Sequence, residues 1–307
     1  MLDPKLIDAL KAVMTAGSFQ GGAQALHLSV AAVSLRIKSL ESLLGLRLLV
    51  RGKTIRLTSA GQILMAYAQR AQMLHDDVLS ALQTGGVNHW QTLSVAVNAD
   101  SVSTWFLPGI ASLLAQSKLL IDVTIDDQDH THDLLKSGEA LGCVTTLSQP
   151  MRGCVSEPLG QMRYRCLARP DLASRCHTPS GKVSVHRLLK LPAIIFNRKD
   201  ALQDMFLLKY FGLVSPQYPK HYVPALDAFG QAIELGLGWG MVPDLISHMS
   251  QTTPTNNQEP PKWVEVMPNS PIDVALYWQH WEQTSQAATK LTQKVKEAAR
   301  QRLLPVA

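Results

Sequence analysis

The sequence predicts a mostly helical N-terminal module with a short wing, a long connecting helix, and an α/β body built as two halves. Three observations carry this. Cations concentrate in the first fifth of the chain, apolar residues at heptad spacing follow, and from about residue 91 short β-rich runs alternate with helical periods. At 307 residues the chain exceeds one ordinary core, and 46% hydrophobic with 17% charged residues marks it as globular. Asp3, Lys5, Asp8 and Lys11 interrupt any apolar core of a signal peptide, and no run approaches the roughly 20 apolar residues of a membrane helix. Cys143, Cys154, Cys166 and Cys176 lie 11, 12 and 10 residues apart, which fits neither a zinc site nor a redox pair. They read as buried reduced thiols of a cytoplasmic protein, with no metal and no cofactor expected.

The net charge of +5 is unevenly placed. Residues 1–58 alone sum to +5, residues 59–89 to −1 and residues 90–307 to +1. A basic module on a near-neutral body fits a polyanion partner; on charge alone, a solvated basic surface fits equally.

Leu6, Leu10, Val13 and Met14 predict a first helix over 4–15, with Pro4 in its first turn. Gly17 ends it, and Ser18 caps a second helix over 19–26. Gly21 and Gly22 cost that helix about 1 kcal/mol each relative to alanine, so it needs tertiary support. Ser29 caps a third helix with an inner face of Val33, Ile37, Leu40 and Leu44, stopped by Gly45. The tight turn at 27–29 makes the last two a helix-turn-helix, whose second helix lies in a major groove with its N-terminal residues towards base edges. Ser29, Val30 and Ala31 are its candidate reading residues, with Ser34, Arg36 and Lys38 on the outer face. The run 48–57 folds as two short strands around Gly52-Lys53, a wing on which Arg51, Lys53 and Arg56 neutralise phosphates.

Ala23, Leu26 and Ser29, then Ala32-Val33-Ser34-Leu35-Arg36-Ile37-Lys38-Ser39-Leu40-Glu41 and Leu44-Gly45, then Leu57-Thr58-Ser59-Ala60-Gly61, resemble the winged helix-turn-helix signature of LysR-type transcriptional regulators. The resemblance implies double-stranded promoter DNA as partner, with RNA polymerase a further one. One position departs from it: the family often has Gln where this chain has Val30. Gln reads adenine bidentately, whereas Val30 offers only apolar contact, for instance to a thymine methyl.

Thr58 caps a long helix over 58–83. Leu64, Tyr67, Ala71, Leu74, Val78 and Ala81 alternate spacings of 3 and 4, a heptad seam that either packs on its own domain or pairs with another helix. The resemblance implies pairing: a dimer through this helix and a dimer of dimers. Residues 84–89 read as a joint.

The body alternates strands at 93–97, 119–125 and 141–145 with helices at 103–116 and 131–137. It continues with strands at 193–196, 221–223 and 239–242 and helices at 201–210 and 226–235. A strand at 272–278 and a helix at 282–302 return to the first half. This order predicts two parallel α/β halves around a cleft, with crossings near 161–164 and 266–269. The stretch 247–262 reads as a loop. The domains expected are therefore 1–58, 59–89 and 90–307, the last divided into about 90–162 with 268–307, and about 163–267.

Open α/β sheets bind ligands beyond their strand C-termini, against helix N-termini. Those places hold Asp100, Ser101 and Thr104; Asp126, Asp127 and Asp129; Thr145; Asn197, Arg198, Lys199 and Asp200; and Asp227. The candidate ligand contacts are Asp100, Ser101, Thr104, Asp126, Asp127, Thr145, Asn197 and Asp227. An acid-rich cleft suits a zwitterion with an extra positive charge, its cations on carboxylates and its α-carboxylate at a helix N-terminus. Any one of these aspartates serves equally as a helix cap; the cluster is the stronger argument.

Val97-Asn98-Ala99-Asp100-Ser101, Asp126-Asp127-Gln128-Asp129-His130-Thr131, Leu159-Gly160-Gln161-Met162-Arg163-Tyr164, Asn197-Arg198-Lys199-Asp200 and Gly236-Leu237-Gly238-Trp239-Gly240 resemble the ArgP/LysG group of LysR-type regulators, also known as inhibitors of chromosome initiation. The resemblance covers nearly the whole chain. It implies two Rossmann-like halves of the periplasmic-binding-protein kind, lysine or arginine as effector, and control of a basic-amino-acid exporter gene from the nucleoid. A different small metabolite as effector is the alternative, and a cytosolic amino-acid-binding protein or enzyme a more distant one. Against an enzyme stands the lack of Gly-x-Ser-x-Gly, His-Glu-x-x-His or phosphate-loop motifs. Gly236-x-Gly238-x-Gly240 sits between helix and strand and reads as a turn, and His130-x-His132 has no cysteine to complete a metal site.

Overall fold

The computed structural model describes residues 2–50, 52, 54–82, 90–125, 134–135, 137–246, 262–282 and 284–305. Helices α1 (Pro4–Thr15), α2 (Phe19–Ala25) and α3 (Val30–Leu44) open the chain. Ser18 Oγ accepts from Gly21 N at 3.0 Å and Ser29 Oγ from Ala32 N at 3.1 Å, so both serines cap as their positions predict. Gly22 is required by packing: a Cβ there would meet Val13 Cγ2 at 2.8 Å. The close approach of α2 to α1 offsets the glycines' helical cost. Ala9, Leu10, Val13, Ala23, Val33, Ile37, Leu40 and Leu48 close a small core of their own. Strands β1 (Leu49–Val50) and β2 (Arg56–Leu57) pair antiparallel as the wing.

Helix α4 (Ser59–Leu82) starts at Thr58, whose Oγ1 accepts from Gly61 N at 3.1 Å and donates to Arg47 O at 2.6 Å. The heptad seam divides. Leu64 is buried, whereas Tyr67 is 45%, Leu74 53% and Val78 56% exposed; the Ala81 side chain and the joint at 84–89 lie outside the described residues. A second face of α4 docks on the body of the same chain. Ala66 is buried against Gly138, where a Cβ would fall 2.3 Å from Ala66 Cα, and the Arg70 guanidinium lies 4.5 Å above the Trp281 ring.

In the body, β3 (Gln91–Val97), β4 (Leu119–Ile125) and β5 (Gly142–Thr145) run parallel in the order β4-β3-β5. Strands β7 (Ala193–Ile195), β8 (Lys220–Tyr222) and β9 (Trp239–Pro243) form a second parallel set in the order β9-β7-β8. Two long antiparallel strands, β6 (Cys154–Ala168) and β11 (Ile272–Trp281), join the sets into one nine-stranded sheet, and β10 (Val264–Glu265) pairs with β6. The sequence predicts only a crossing at 161–164 where β6 runs for 15 residues. The turn region 266–269 precedes β11, and β11 extends three residues beyond the predicted 278. A bulge at Leu276/Tyr277, facing Gly160, lets β6 and β11 bend between the two sets.

Two helix starts also differ from expectation. The helix predicted at 103–116 begins at Ala99 and runs through a π-helical stretch, Val102–Phe106, before α6 (Leu107–Ala115); the first turn, Ala99–Ser101, is α5. The closing helix begins at Gln286, not 282, because Ser285 Oγ caps it by accepting from Ala288 N. Between them lie α7 (Pro170–Arg175), α8 (Val185–Leu188), α9 (Leu202–Phe211) and α10 (Leu226–Glu234); the closing helix is α11. The residues predicted as a helix at 131–137 and a loop at 247–262 lie largely outside the described residues. Among the described residues no helix is long and apolar enough to cross a membrane.

Candidate functional site

The basic module presents α3 with its apolar face buried in the module core. Ser29 and Val30 are exposed at its N-terminal end, Ala31 and Lys38 are exposed away from that face, and Ser34 and Arg36 are half-buried on its flanks. Glu41 Oε1 accepts from Leu48 N at 2.8 Å and so fixes the wing to the end of α3, a link that sequence spacing does not reveal. Arg56 is exposed on β2 beside it; Arg51 and Lys53 lie outside the described residues. An exposed helix flanked by a basic wing can lie in a groove of a duplex while cations bind its phosphates.

In the body, the C-terminal ends of β3, β5, β7 and β8 meet around a cavity of about 520 Å³. The first strand set contributes Asn98, Asp100, Ile125 and Thr146; the second contributes Phe196, Asn197, Lys199 and Asp200; Tyr164 and Val274 come from the strands that join them. Helix starts at Ala99 and Leu202 also border it, so two helix N-termini reach the cavity.

Two carboxylates, one from each set, occupy its wall. Burial above all, with a smaller contribution from nearby Asp200, pushes the Asp100 carboxyl up to about 6 against the hydrogen bond from Tyr164. Tyr164 OH donates to Asp100 Oδ2 at 2.6 Å, and burial together with that carboxylate raises the phenol well above its ordinary value. Asp200 is also raised by burial, although Phe196 N and Leu202 N donate to it at 3.1 and 3.0 Å. Behind it, Asp204 accepts from Tyr218 OH at 2.6 Å. Asn197 Oδ1 accepts from Lys199 N and Asp200 N, which shapes the turn that carries Asp200. Among the described residues, Asn98 Oδ1 is buried without a partner. Two carboxylates held above their ordinary range and an unpaired acceptor are a setting that a cationic donor stabilises.

Of the residues predicted to touch a ligand, Asp100 and Asn197 line the cavity. Ser101 and Thr145 are buried beside it, and Thr104 Oγ1 is turned back to donate to Asp100 O at 2.6 Å. Asp227 is exposed in the first turn of α10 and does not line the cavity. Asp126 and Asp127 lie outside the described residues. Tyr164 and Asp200 are the additions. A tyrosine sharing one strand face with Met162 and Cys166, and needing a buried partner for its hydroxyl, was the available signal for the first; the acid after Asn197-Arg198-Lys199 was the signal for the second. All four cysteines are free, and burial pushes Cys143 up to about 12 and Cys154 up to about 11, which disfavours their thiolates.

Comparison with known proteins matches residues 4–62 to the bacterial regulatory helix-turn-helix protein, lysR family, and residues 90–300 to the LysR substrate binding domain. The chain belongs to the LysR family. Family membership makes it a DNA-binding transcriptional regulator and not an enzyme, and makes the N-terminal module its DNA-binding part. LysG of Mycobacterium tuberculosis strain H37Rv is 37% identical over 303 residues, 97% of this chain and 95% of that one. ArgP of Pseudomonas fluorescens strain Pf0-1 is 35% identical over the whole of both chains. The crystal structure of ArgP from Mycobacterium tuberculosis superimposes with a TM-score of 0.86 at 36% identity over the full length of both chains. Full-length LysG of Corynebacterium glutamicum, solved with the effector Arg bound, gives 0.76 at 31% identity and covers 99% of this chain and 100% of its own. The resemblance to the ArgP/LysG group read from the sequence agrees with these relatives.

Proposed function

We propose that this LysR-family regulator senses a basic amino acid, arginine or lysine, in the cavity between its two strand sets. The observation that carries the reading is the pair Asp100 and Asp200, which come from different strand sets, line one cavity and are both raised by burial. A guanidinium or ammonium between them restores the charge that burial opposes, and the N-termini of the helices at Ala99 and Leu202 suit the ligand's α-carboxylate. The arginine-bound LysG of Corynebacterium glutamicum supports the same ligand class.

Because the carboxylates come from opposite sets, a bridging ligand favours the closed arrangement of the cleft. Closure repositions the DNA-binding modules of an oligomer joined through the exposed seam of α4, a dimer and, by extension, a dimer of dimers. A basic-amino-acid exporter is the target gene that suits a sensor of this kind, in the cytoplasm at the nucleoid. Calorimetric titration of the full chain with arginine, lysine and leucine tests the reading. Binding of arginine or lysine without leucine supports it; binding of none, or of leucine equally, removes the basic amino acid as effector.

A further inference from the structure

Helix α3 exposes three apolar residues in its first two turns. Val30 is 46% and Leu35 65% exposed and Ala31 is exposed; Ala31 and Leu35 stand away from the buried stripe of Val33, Ile37 and Leu40, whereas Val30 lies in line with that stripe at the free N-terminal end of the helix. At 3.6 residues per turn, Leu35 lies almost opposite that stripe and about 7.5 Å along the axis from Val30. Two base-pair steps of a duplex span about the same length. Ser29 Oγ is engaged in capping Ala32 N. Residues 29–38 contain no Asn or Gln, and their one arginine, Arg36, is a half-buried residue on the flank of the helix. The first two turns of the recognition helix therefore have no amide with which to grip an adenine edge bidentately.

A single exposed leucine is ordinary on a protein surface. Three exposed apolar residues at the groove-entering end of a recognition helix are not explained by burial within the chain. Leu43 and Leu46 are exposed too, but Leu43 sits about 20 Å along α3 from Val30, beyond the reading end. The one apolar group that the major groove offers is the C5 methyl of thymine.

We propose that Val30, Ala31 and Leu35 form a thymine-methyl reading surface. Recognition by this helix then rests on apolar contact with adjacent thymines, and polar contacts by Ser34, Lys38 and the wing position the helix without specifying the bases.

The test uses the full chain. Duplexes retained from a random pool are sequenced, and thymines in the retained half-sites are replaced by deoxyuridine, which removes only the C5 methyl. Each covered methyl is expected to account for about fourfold in affinity, the worth of one buried methylene, while binding to random-sequence duplex stays unchanged. Leu35→Ala and Val30→Ala, both at exposed positions, are expected to reduce the difference between thymine and uracil duplexes. Retained half-sites without thymine overturn the proposal, as do equal affinities for the two duplexes. Full thymine preference in both variants overturns the assignment to these residues.

Discussion

The DNA-binding module and the cavity of the body handle charge in opposite ways. In the module, cations such as Lys38 and Arg56 stay in water on an exposed surface, where each contributes modestly and salt screens it. In the cavity, Asp100 and Asp200 are withdrawn from water, and burial raises both. The first arrangement tolerates the loss of any one charge. The second depends on single groups, because a buried carboxylate is stable only with the right partner. A regulator needs both behaviours: graded attraction to a polymer and a sharp response to one small molecule.

The largest expected effect breaks the cavity side of this contrast. Asp100→Ala should weaken arginine or lysine binding by roughly 30-fold or more, since losing one partner of a buried charged contact costs about 2–5 kcal/mol. Affinity for promoter DNA without effector should stay unchanged, as read by anisotropy; retained effector affinity would take Asp100 out of the site. Next comes pH. A cationic ligand binds ionised Asp100, whose carboxyl titrates at about 6 in the free chain, so arginine affinity should be flat above pH 7 and fall about tenfold by pH 5. The stability contribution has the reverse sense: with its folded value raised from 3.8 to about 6, the Asp100 contribution is present below pH 4 and is lost as pH rises through 6. Calorimetry in two buffers at pH 6 should register proton release on binding, and its absence would contradict the ionisation assigned here.

On the module side, Arg56→Ala should weaken binding to all duplexes by a few-fold and reduce the slope of log affinity against log salt by about 1, with effector affinity unchanged. A sequence-dependent loss would show that Arg56 reads bases. The smallest expected effect is Thr58→Ala, which removes the cap at Gly61 and the bond to Arg47; it should cost about 1 kcal/mol in thermal unfolding of the module and leave effector binding untouched.

The same contrast explains what was legible in the sequence. The module is a local object: caps at Ser18, Ser29 and Thr58 and apolar steps along α3 lie within one or two turns of what they stabilise. The alternation of strands and helices in each half was legible for the same reason. Strand β6 was not, because it changes neighbours along its length, pairing with β11 and then also with β9, and so shows no single pattern. Asp100 announced itself beyond a strand end. Its partner Tyr164 lies 64 residues away, between Arg163 and Arg165 in a strand, and only folding brings the two together. Asp227 looked equivalent to Asp100 by the helix-start rule, yet its helix opens on solvent.

The docking of α4 on the body through Ala66 with Gly138 and Arg70 with Trp281 bears on how such regulators can be recombined. A hybrid sensor made by exchanging everything after residue 90 keeps the helix of one parent and the receiving surface of another. Any side chain at 138 larger than hydrogen would collide with the helix, and a recipient without an aromatic ring at 281 would lose the stacking partner of Arg70. Exchange of the N-terminal part up to about residue 58, with α4 left joined to its own body, preserves both contacts and moves the DNA preference, provided that the incoming module packs on Leu64 and Met65 of α4.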